Sequence, residues 1–144
     1  MILESYHRVF VEPRALDATL DFYRRLTGGS ESLRFDYPEA GLSLAAISSP
    51  KLSILVIAGS PEARARFEKT PLTIRTDDLD QVRSFLTAEG ATVLEEPKAV
   101  PTGRNMRTRH PDGLVVEYVE HSKRCEHLES GSGGGCNKSV VQKN

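Results

Sequence analysis

The sequence predicts an α+β fold in which two βαβββ modules form a curved mixed sheet with the shape of a cup. Each half of the chain contains a short apolar segment, then a Leu-Asp pair, four further residues and a phenylalanine. The two copies are 9–11, Leu16-Asp17 and Phe22, and then 72–74, Leu79-Asp80 and Phe85. Positions 16 and 79 are 63 residues apart, as are positions 22 and 85. This repeat indicates two copies of one supersecondary unit, because strand, helix and helix end recur in the same order.

A helix is predicted after the first strand of each module. Asp17 and Asp80 suit the first turn or the N-cap of a helix, and Gly28-Gly29 and Gly90 are typical of helix C-termini. Apolar residues at helical spacing define one face of each helix. These faces are Leu16, Leu20, Tyr23 and Leu26 in the first helix and Leu79, Val82, Phe85 and Leu86 in the second.

Three strands are predicted after each helix. Turns at 38–41 and 49–50 divide the first three, and a loop at 96–103 and a turn at 110–113 divide the last three. The predicted strands are 31–36, 41–48 and 51–58, followed by 91–95, 104–109 and 114–120.

A single domain is predicted over residues 1–121, with module one at about 5–60 and module two at about 68–121. Two modules that each have a sheet face to cover are expected to pair and to share a core and a concavity. The segment 122–144 contains a Gly/Ser-rich run. We expect it to be a flexible tail, because such sequence does not repay the entropy cost of ordering.

The composition argues against several classes of partner. The 144 residues carry 19 basic and 20 acidic side chains, a formal net charge of -1. Lys and Arg are scattered rather than clustered, so neither nucleic acid nor an anionic membrane is expected as a partner. The longest apolar runs, such as 54–58, are far shorter than the roughly 20 residues of a membrane span. Both cysteines, Cys125 and Cys136, lie in the predicted tail, which argues against a disulfide-stabilised secreted domain and favours a cytoplasmic location.

A carboxylate stands in the middle of the last predicted strand. Strand neighbours alternate between faces, so Glu117 shares its face with Val115 and Val119. A dry, unpaired carboxylate costs several kcal/mol. Glu117 therefore requires a cation, a metal, a hydrogen-bonding ligand or water.

A histidine stands in a similar place on the first predicted strand. His7 shares its face with the two valines of that strand, whereas Tyr6, Arg8 and Phe10 point the other way. We expect His7 and Glu117 together to line the inside of the cup. The alternatives are a histidine at a strand edge and a partly exposed Glu117 paired with an arginine.

The sequence resembles the vicinal oxygen chelate superfamily, which includes glyoxalase I, extradiol dioxygenases and the bleomycin-resistance proteins. The resemblance extends from about His7 to Glu120. The matching segments are His7, Leu16-Asp17, Phe-Tyr-Arg-Arg-Leu-Thr-Gly at 22–28, Thr-Asp-Asp-Leu-Asp at 76–80 and His-Pro-Asp-Gly-Leu-Val-Val-Glu at 110–117. The resemblance implies the same paired βαβββ fold that the repeat predicts.

The resemblance also bears on metal binding, because metal-dependent members of the superfamily place four ligands in the cup. These ligands come from the first and last strands of each module. His7 and Glu117 match two of the positions and are the ligands expected if a metal is present. The other two positions fall at about Pro71 and within 54–57, where no side chain is a metal ligand. Catalytic zinc and iron sites generally keep at least three protein ligands. We therefore expect no cofactor, and a divalent metal completed by another acidic side chain or a second subunit is the alternative.

The predicted function is the binding of a small organic molecule in a metal-free cup, as the resemblance to drug-sequestering bleomycin-resistance proteins implies. The expected contacts are His7, Glu117 and Arg75 as polar anchors and Phe35 and Tyr118 as aromatic surfaces. Arg75 could reach into the cup and pair with Glu117 or with an anionic ligand.

Two other functions stay open. One is an enzyme: a metal-dependent lyase, isomerase or dioxygenase of the glyoxalase type, or a metal-free enzyme in which Glu117 or His7 acts as a general base. The other is a regulatory or interaction module on the same scaffold. The resemblance also implies a homodimer, with modules paired within one chain or exchanged between subunits.

Overall fold

The computed structural model of the protein describes residues 1–122, so the predicted tail lies outside the described residues except for Ser122. Module one contains β1 (Ile2–Val11), α1 (Leu16–Thr27), β2 (Ser30–Tyr37), β3 (Leu42–Ser48) and β4 (Ile54–Ala58). A short helix, α2 (Pro61–Ala65), connects the modules. Module two contains β5 (Leu72–Thr76), α3 (Leu79–Ala88), β6 (Thr92–Val100), β7 (Gly103–Arg109) and β8 (Val115–His121). The fold is therefore α+β with the βαβββ order twice, as predicted.

The eight strands form one mixed sheet with the order β2-β3-β4-β1-β5-β8-β7-β6. The first strands of the two modules pair antiparallel, with Tyr6 opposite Thr73, and this pairing joins the modules. Within each module the first strand pairs parallel to the last, β1 with β4 and β5 with β8. The two edge strands, β2 and β6, line the same cavity although they lie at opposite ends of the sheet, so the sheet is strongly curved.

The helices begin and end where the sequence predicts. Asp17 and Asp80 lie in the first turns of α1 and α3, and the side chain of Asp78 caps α3 by accepting a hydrogen bond from the Gln81 amide at 3.0 Å. Gly28 follows α1 with φ 73°, a left-handed conformation that costs a residue with a Cβ atom about 1–2 kcal/mol.

Both long helices pack on the convex face of the sheet. Leu20 of α1 lies in a buried cluster with residues of β3 and β4, and Leu79, Val82 and Leu86 of α3 lie in a second buried cluster with residues of β5, β7 and β8. The prediction that Leu26 and Phe85 belong to these buried faces is wrong, since they are 62% and 51% exposed. At 100° per residue, each stands about 90° from the centre of its apolar stripe, so it reaches only the edge of the contact with the sheet.

The strand prediction is wrong at one connection. The segment 96–103, predicted as a loop, is mostly strand, because β6 continues to Val100 and only Pro101 and Thr102 separate it from β7. The prediction was wrong because proline, here Pro97, is usually found in loops and not within strands. Proline is tolerated here because β6 is an edge strand and its register with β7 shifts between Glu95 and Lys98.

Candidate functional site

The concave face of the sheet encloses a cavity of about 130 Å³, which we call the cup. Strands of both modules line it, and residues 66, 67 and 70 of the connection between the modules form part of its border. Its two sides differ in chemistry. The apolar wall comes from β2, β3 and β4 and consists of Leu33, Phe35, Leu42, Leu44, Leu55 and Ile57. The polar wall comes from module two and contains Thr73, Glu95, Lys98, Asn105, Arg107 and Glu117.

A buried ion pair crosses the floor of the cup. The Nη2 atom of Arg8 lies 2.7 Å from Oε1 of Glu117, and the two side chains are 4% and 17% exposed. Arg8 belongs to β1 and Glu117 to β8, so the ion pair connects the two modules. Charge-assisted hydrogen bonds at this distance are among the stronger polar contacts in proteins.

The side-chain nitrogens of Arg8 and both carboxylate oxygens of Glu117 each form at least one hydrogen bond or ion pair. Nε of Arg8 donates to Oγ1 of Thr73 at 2.9 Å, and Nη1 donates to the backbone oxygen of Phe67 at 3.2 Å. The Thr73 hydroxyl in turn donates to Oε1 of Glu117 at 3.1 Å, and Nδ2 of Asn105 donates to Oε2 at 2.8 Å. The Glu117 carboxylate is therefore bonded through both oxygens, and its charge is balanced by a protein cation.

The expectation that His7 and Glu117 converge in the cup is wrong. His7 is exposed and borders a shallow depression on the other side of the strand, together with Ser5 and residues 49–53. The side chains of β1 that line the cup are Tyr6 and Arg8. Val9 and Val11, which share the face of His7, pack beneath α1, so the apolar pattern indicated the helix-covered face and not the cup.

Two other predicted contacts also lie elsewhere. Tyr118 is 4% exposed in the cluster under α3, where its hydroxyl is 2.7 Å from Nε2 of His110. Burial raises the pKa of Tyr118. Arg75 lies beside the cup rather than among its lining residues, with Nη2 3.6 Å from Oε1 of Glu4. The pairing with Glu117 that we expected of Arg75 is made by Arg8.

The structure places Phe35 and Glu117, the remaining predicted contacts, in the lining of the cup. Arg8 was missed, although the sequence holds a signal for it. An arginine between Tyr6 and Phe10 on one face of a central strand is costly unless it has a buried anionic partner. Glu117 on β8 likewise requires a cationic or hydrogen-bonding partner.

The mouth of the cup carries a second group of charges, centred on Glu95 of β6. Its Oε1 lies 3.5 Å from Nε of Arg107 and 3.7 Å from Nζ of Lys98. Burial by itself raises the pKa of Glu95, but the nearby guanidinium of Arg107 and the charges of Lys98 and Arg66 outweigh burial and lower it. The same mouth holds Tyr37, whose pKa is raised by burial and by the charge of Glu39.

The donor atoms of the cup do not fit a metal ion. Within residues 1–122 no group of three or more His, Cys, Asp or Glu side chains is arranged to hold one. At the floor, where the resemblance implies a metal centre, the four central strands supply the carboxylate of Glu117, the guanidinium of Arg8, the imidazole of His121, the hydroxyls of Tyr6 and Thr73, and aliphatic side chains. A guanidinium 2.7 Å from the only carboxylate of the floor occupies the coordination space of a cation and repels it.

These features define the protein's class. The family model described as Glyoxalase/Bleomycin resistance protein/Dioxygenase superfamily matches residues 6–118, and the chain belongs to this superfamily. The match covers both modules and at least part of every strand that lines the cup.

Solved structures agree with this assignment. The chain is 44% identical to an uncharacterized protein from Methanosarcina mazei, over 85% of this chain and 95% of that one, with a TM-score of 0.74. Methylmalonyl-CoA epimerase from Mycobacterium tuberculosis is 19% identical over 85% of this chain and 89% of that one, with a TM-score of 0.62. A Streptomyces coelicolor methylmalonyl-CoA epimerase variant in complex with 2-nitronate-propionyl-CoA is 20% identical, over 85% and 97% of the two chains, with a TM-score of 0.60. At these last identities the likeness shows the fold. None of the curated proteins matches this chain.

No helix within residues 1–122 is long and apolar enough to cross a membrane. The predicted homodimer, cytoplasmic location and absence of a cofactor stay predictions.

Proposed function

We propose that this protein binds a small organic molecule in the cup without the help of a metal ion, as a binding or sequestering protein. The observation that carries the proposal is the two-sided lining of the cup, with aliphatic and aromatic side chains on one wall and hydrogen-bonding side chains on the other. Ligand sites commonly combine an apolar surface with a few polar groups that fix orientation.

The size of the cup limits the size of the bound group. In another protein an apolar cavity of about 150 Å³ holds one benzene molecule. The cup, at about 130 Å³ and open at its mouth, suits a single aromatic ring or a short acyl chain. A larger ligand would place only one end inside.

The floor of the cup supports binding over metal-dependent chemistry. A lyase, isomerase or dioxygenase of the glyoxalase type requires several protein ligands for its metal, whereas Glu117 is here engaged by Arg8, Thr73 and Asn105. The same contacts hold the carboxylate in one orientation. The floor is thus a fixed polar surface against which a ligand can be oriented.

The test is titration with phenylacetamide, a neutral single-ring probe, followed by ligand-observed NMR. We expect saturable binding that weakens about tenfold or more in Phe35→Ala, because a buried phenylalanine contributes about 1.5–3 kcal/mol of apolar contact. Phe22→Ala is the matched control, since Phe22 lies 51% exposed on α1 and lines no part of the cup. Equal affinities in the two variants, or no saturable binding of any single-ring probe to the parent protein, would contradict the proposal.

A further inference from the structure

We infer that the ligand of the cup is a small organic anion, which places a carboxylate at the mouth and an apolar body against the wall formed by β2, β3 and β4. This inference rests on the proposed function and adds the charge of the ligand to it. It is carried by the arrangement of cationic side chains around the cavity and by a buried hydroxyl that has no hydrogen-bond partner within residues 1–122.

The lining of the cup carries an excess of positive charge. Its cationic residues are Arg8, Arg66, Lys98 and Arg107, and its acidic residues are Glu95 and Glu117. Arg8 and Glu117 neutralise each other at the floor. Three cations and one carboxylate are left at the mouth, a surplus of two positive charges in a chain whose formal net charge is -1. The excess is therefore local to the cup and does not reflect a basic protein.

The cations at the mouth keep donors free for a ligand. Arg107 and Lys98 approach Glu95 at 3.5 and 3.7 Å, longer than a good hydrogen bond, and their side chains are 34% and 44% exposed. The single negative charge of Glu95 cannot neutralise the two positive charges of Arg107 and Lys98. Both cations can therefore bond to a second carboxylate supplied by a ligand.

Arg66 adds a third cation to the mouth of the cup. Its guanidinium carbon lies 4.9 Å above the centre of the Phe67 ring, and within residues 1–122 it forms no ion pair. The stacking holds the guanidinium at the border of the cup. A planar guanidinium in this position suits bidentate binding of a carboxylate.

Thr70 provides the second, independent sign of a polar ligand. Thr70 is 1% exposed and lines the cup, and its hydroxyl is buried with no hydrogen-bond partner in the described part of the chain. A buried hydroxyl without a partner costs free energy, and an acceptor oxygen of a bound ligand would satisfy it. Thr70 and Arg66 both belong to the segment that connects the modules, and both line the cup.

The test compares phenylacetate, phenylacetamide and phenethylamine, which share one ring and a two-carbon substituent but carry charges of -1, 0 and +1. We expect phenylacetate to bind about fivefold more tightly than phenylacetamide and phenethylamine to bind most weakly. Raising the ionic strength from about 0.02 M to about 0.5 M should reduce the preference for phenylacetate, because the mouth is open to solvent. Acetate, which lacks the ring, should bind much more weakly than phenylacetate.

A double variant tests the residues. Arg66→Gln/Lys98→Gln should weaken phenylacetate binding about tenfold and change phenylacetamide binding less than about twofold. Arg24→Gln/Arg25→Gln removes the same charge from exposed positions on α1, where both arginines pair with Asp21, and should leave both affinities unchanged.

The outcomes separate the two proposals. If phenylacetamide binds as tightly as phenylacetate, or if the double variant at the mouth weakens both probes equally, the inference of an anionic ligand is wrong while the binding function stands. If phenethylamine binds most tightly, the inference is likewise overturned. If none of the three ring compounds binds, the proposed function itself fails.

Discussion

Replacement of Arg8 by methionine would isolate the contribution of the ion pair on the floor of the cup. Methionine keeps most of the aliphatic volume of arginine but removes the charge and the three donors that reach Glu117, Thr73 and the backbone of Phe67. In the variant, Glu117, whose side chain is 17% exposed in the parent protein, keeps only Thr73 and Asn105 as partners in the cavity.

The size of the effect follows from the burial of the pair. Removal of one partner from a buried ion pair costs about 3–5 kcal/mol, mostly because the other charge loses its compensation. Glu117 faces an open cup that admits water, so the lower end of that range, about 3 kcal/mol, is expected. At about 4 °C per kcal/mol for a domain of this size, the unfolding midpoint should fall by about 12 °C.

The assay is urea unfolding of Arg8→Met, Glu117→Gln and the double variant. The free energy lost by the double variant should be at least about 1 kcal/mol smaller than the sum of the two single losses, because either substitution alone breaks the pair. Arg83→Met is a control for the loss of an arginine: Arg83 and Glu96 form an exposed bidentate pair at 2.8 and 3.0 Å, and the unfolding midpoint should hardly change. Additive losses at Arg8 and Glu117, or a parent-like stability of Arg8→Met, would refute this account of the floor.

Two further predictions concern residues that do not line the cup. Burial by itself raises the pKa of Glu4, but hydrogen bonds from Ser53, Ser48 and Tyr6 and the charge of Arg75 outweigh burial and hold the pKa below its ordinary value of 4.5. Glu4 should therefore stabilise the fold fully above about pH 4.5 and lose that contribution as the pH falls through its lowered pKa. In urea unfolding, the difference in unfolding free energy between the parent protein and Glu4→Gln should become smaller in acid. A difference that grows in acid would contradict the assignment. Tyr118→Phe removes the hydrogen bond to His110 and should lower the free energy of unfolding by about 0.5–1.5 kcal/mol. The affinity for phenylacetamide should stay unchanged; a clear loss of affinity in NMR titration would show that Tyr118 contacts the ligand.

Much of the fold follows from the sequence because its signals are local and occur twice. The 63-residue repeat, the glycines that end the helices and the spacing of Leu79, Val82 and Leu86 each depend on short stretches of chain. The strand that joins the modules could not be identified from the sequence; in the structure β1 pairs with β5. The connection between β6 and β7 was mispredicted because Pro97 marks a loop in most contexts, and only the edge position of β6 makes it acceptable in a strand.

The site was harder to predict, and the two ends of the chain show why. Alternation separates the faces of a strand correctly, but it does not say which face is covered by a helix and which lines a cavity. On β1 the valines face α1, and Tyr6 and Arg8 face the cup; on β8 Val116 and Tyr118 face α3, and Glu117 faces the cup. A central strand carries apolar residues on both faces. Apolar residues therefore do not indicate which face is covered by a helix and which face lines the cavity.

Charge resolves this ambiguity where hydrophobicity does not. A guanidinium that is 4% exposed is stable only beside acceptors, and the convex face of β1 offers it aliphatic side chains. Arg8 and Glu117 therefore have to share one face, and that face has to be the one not covered by helices. This reasoning also separates the roles of the charges around the cup. The guanidinium of Arg8 at the floor forms the ion pair that connects the two modules and orients Glu117. Arg107 and Lys98 at the mouth share the single carboxylate of Glu95 and can also bind a ligand.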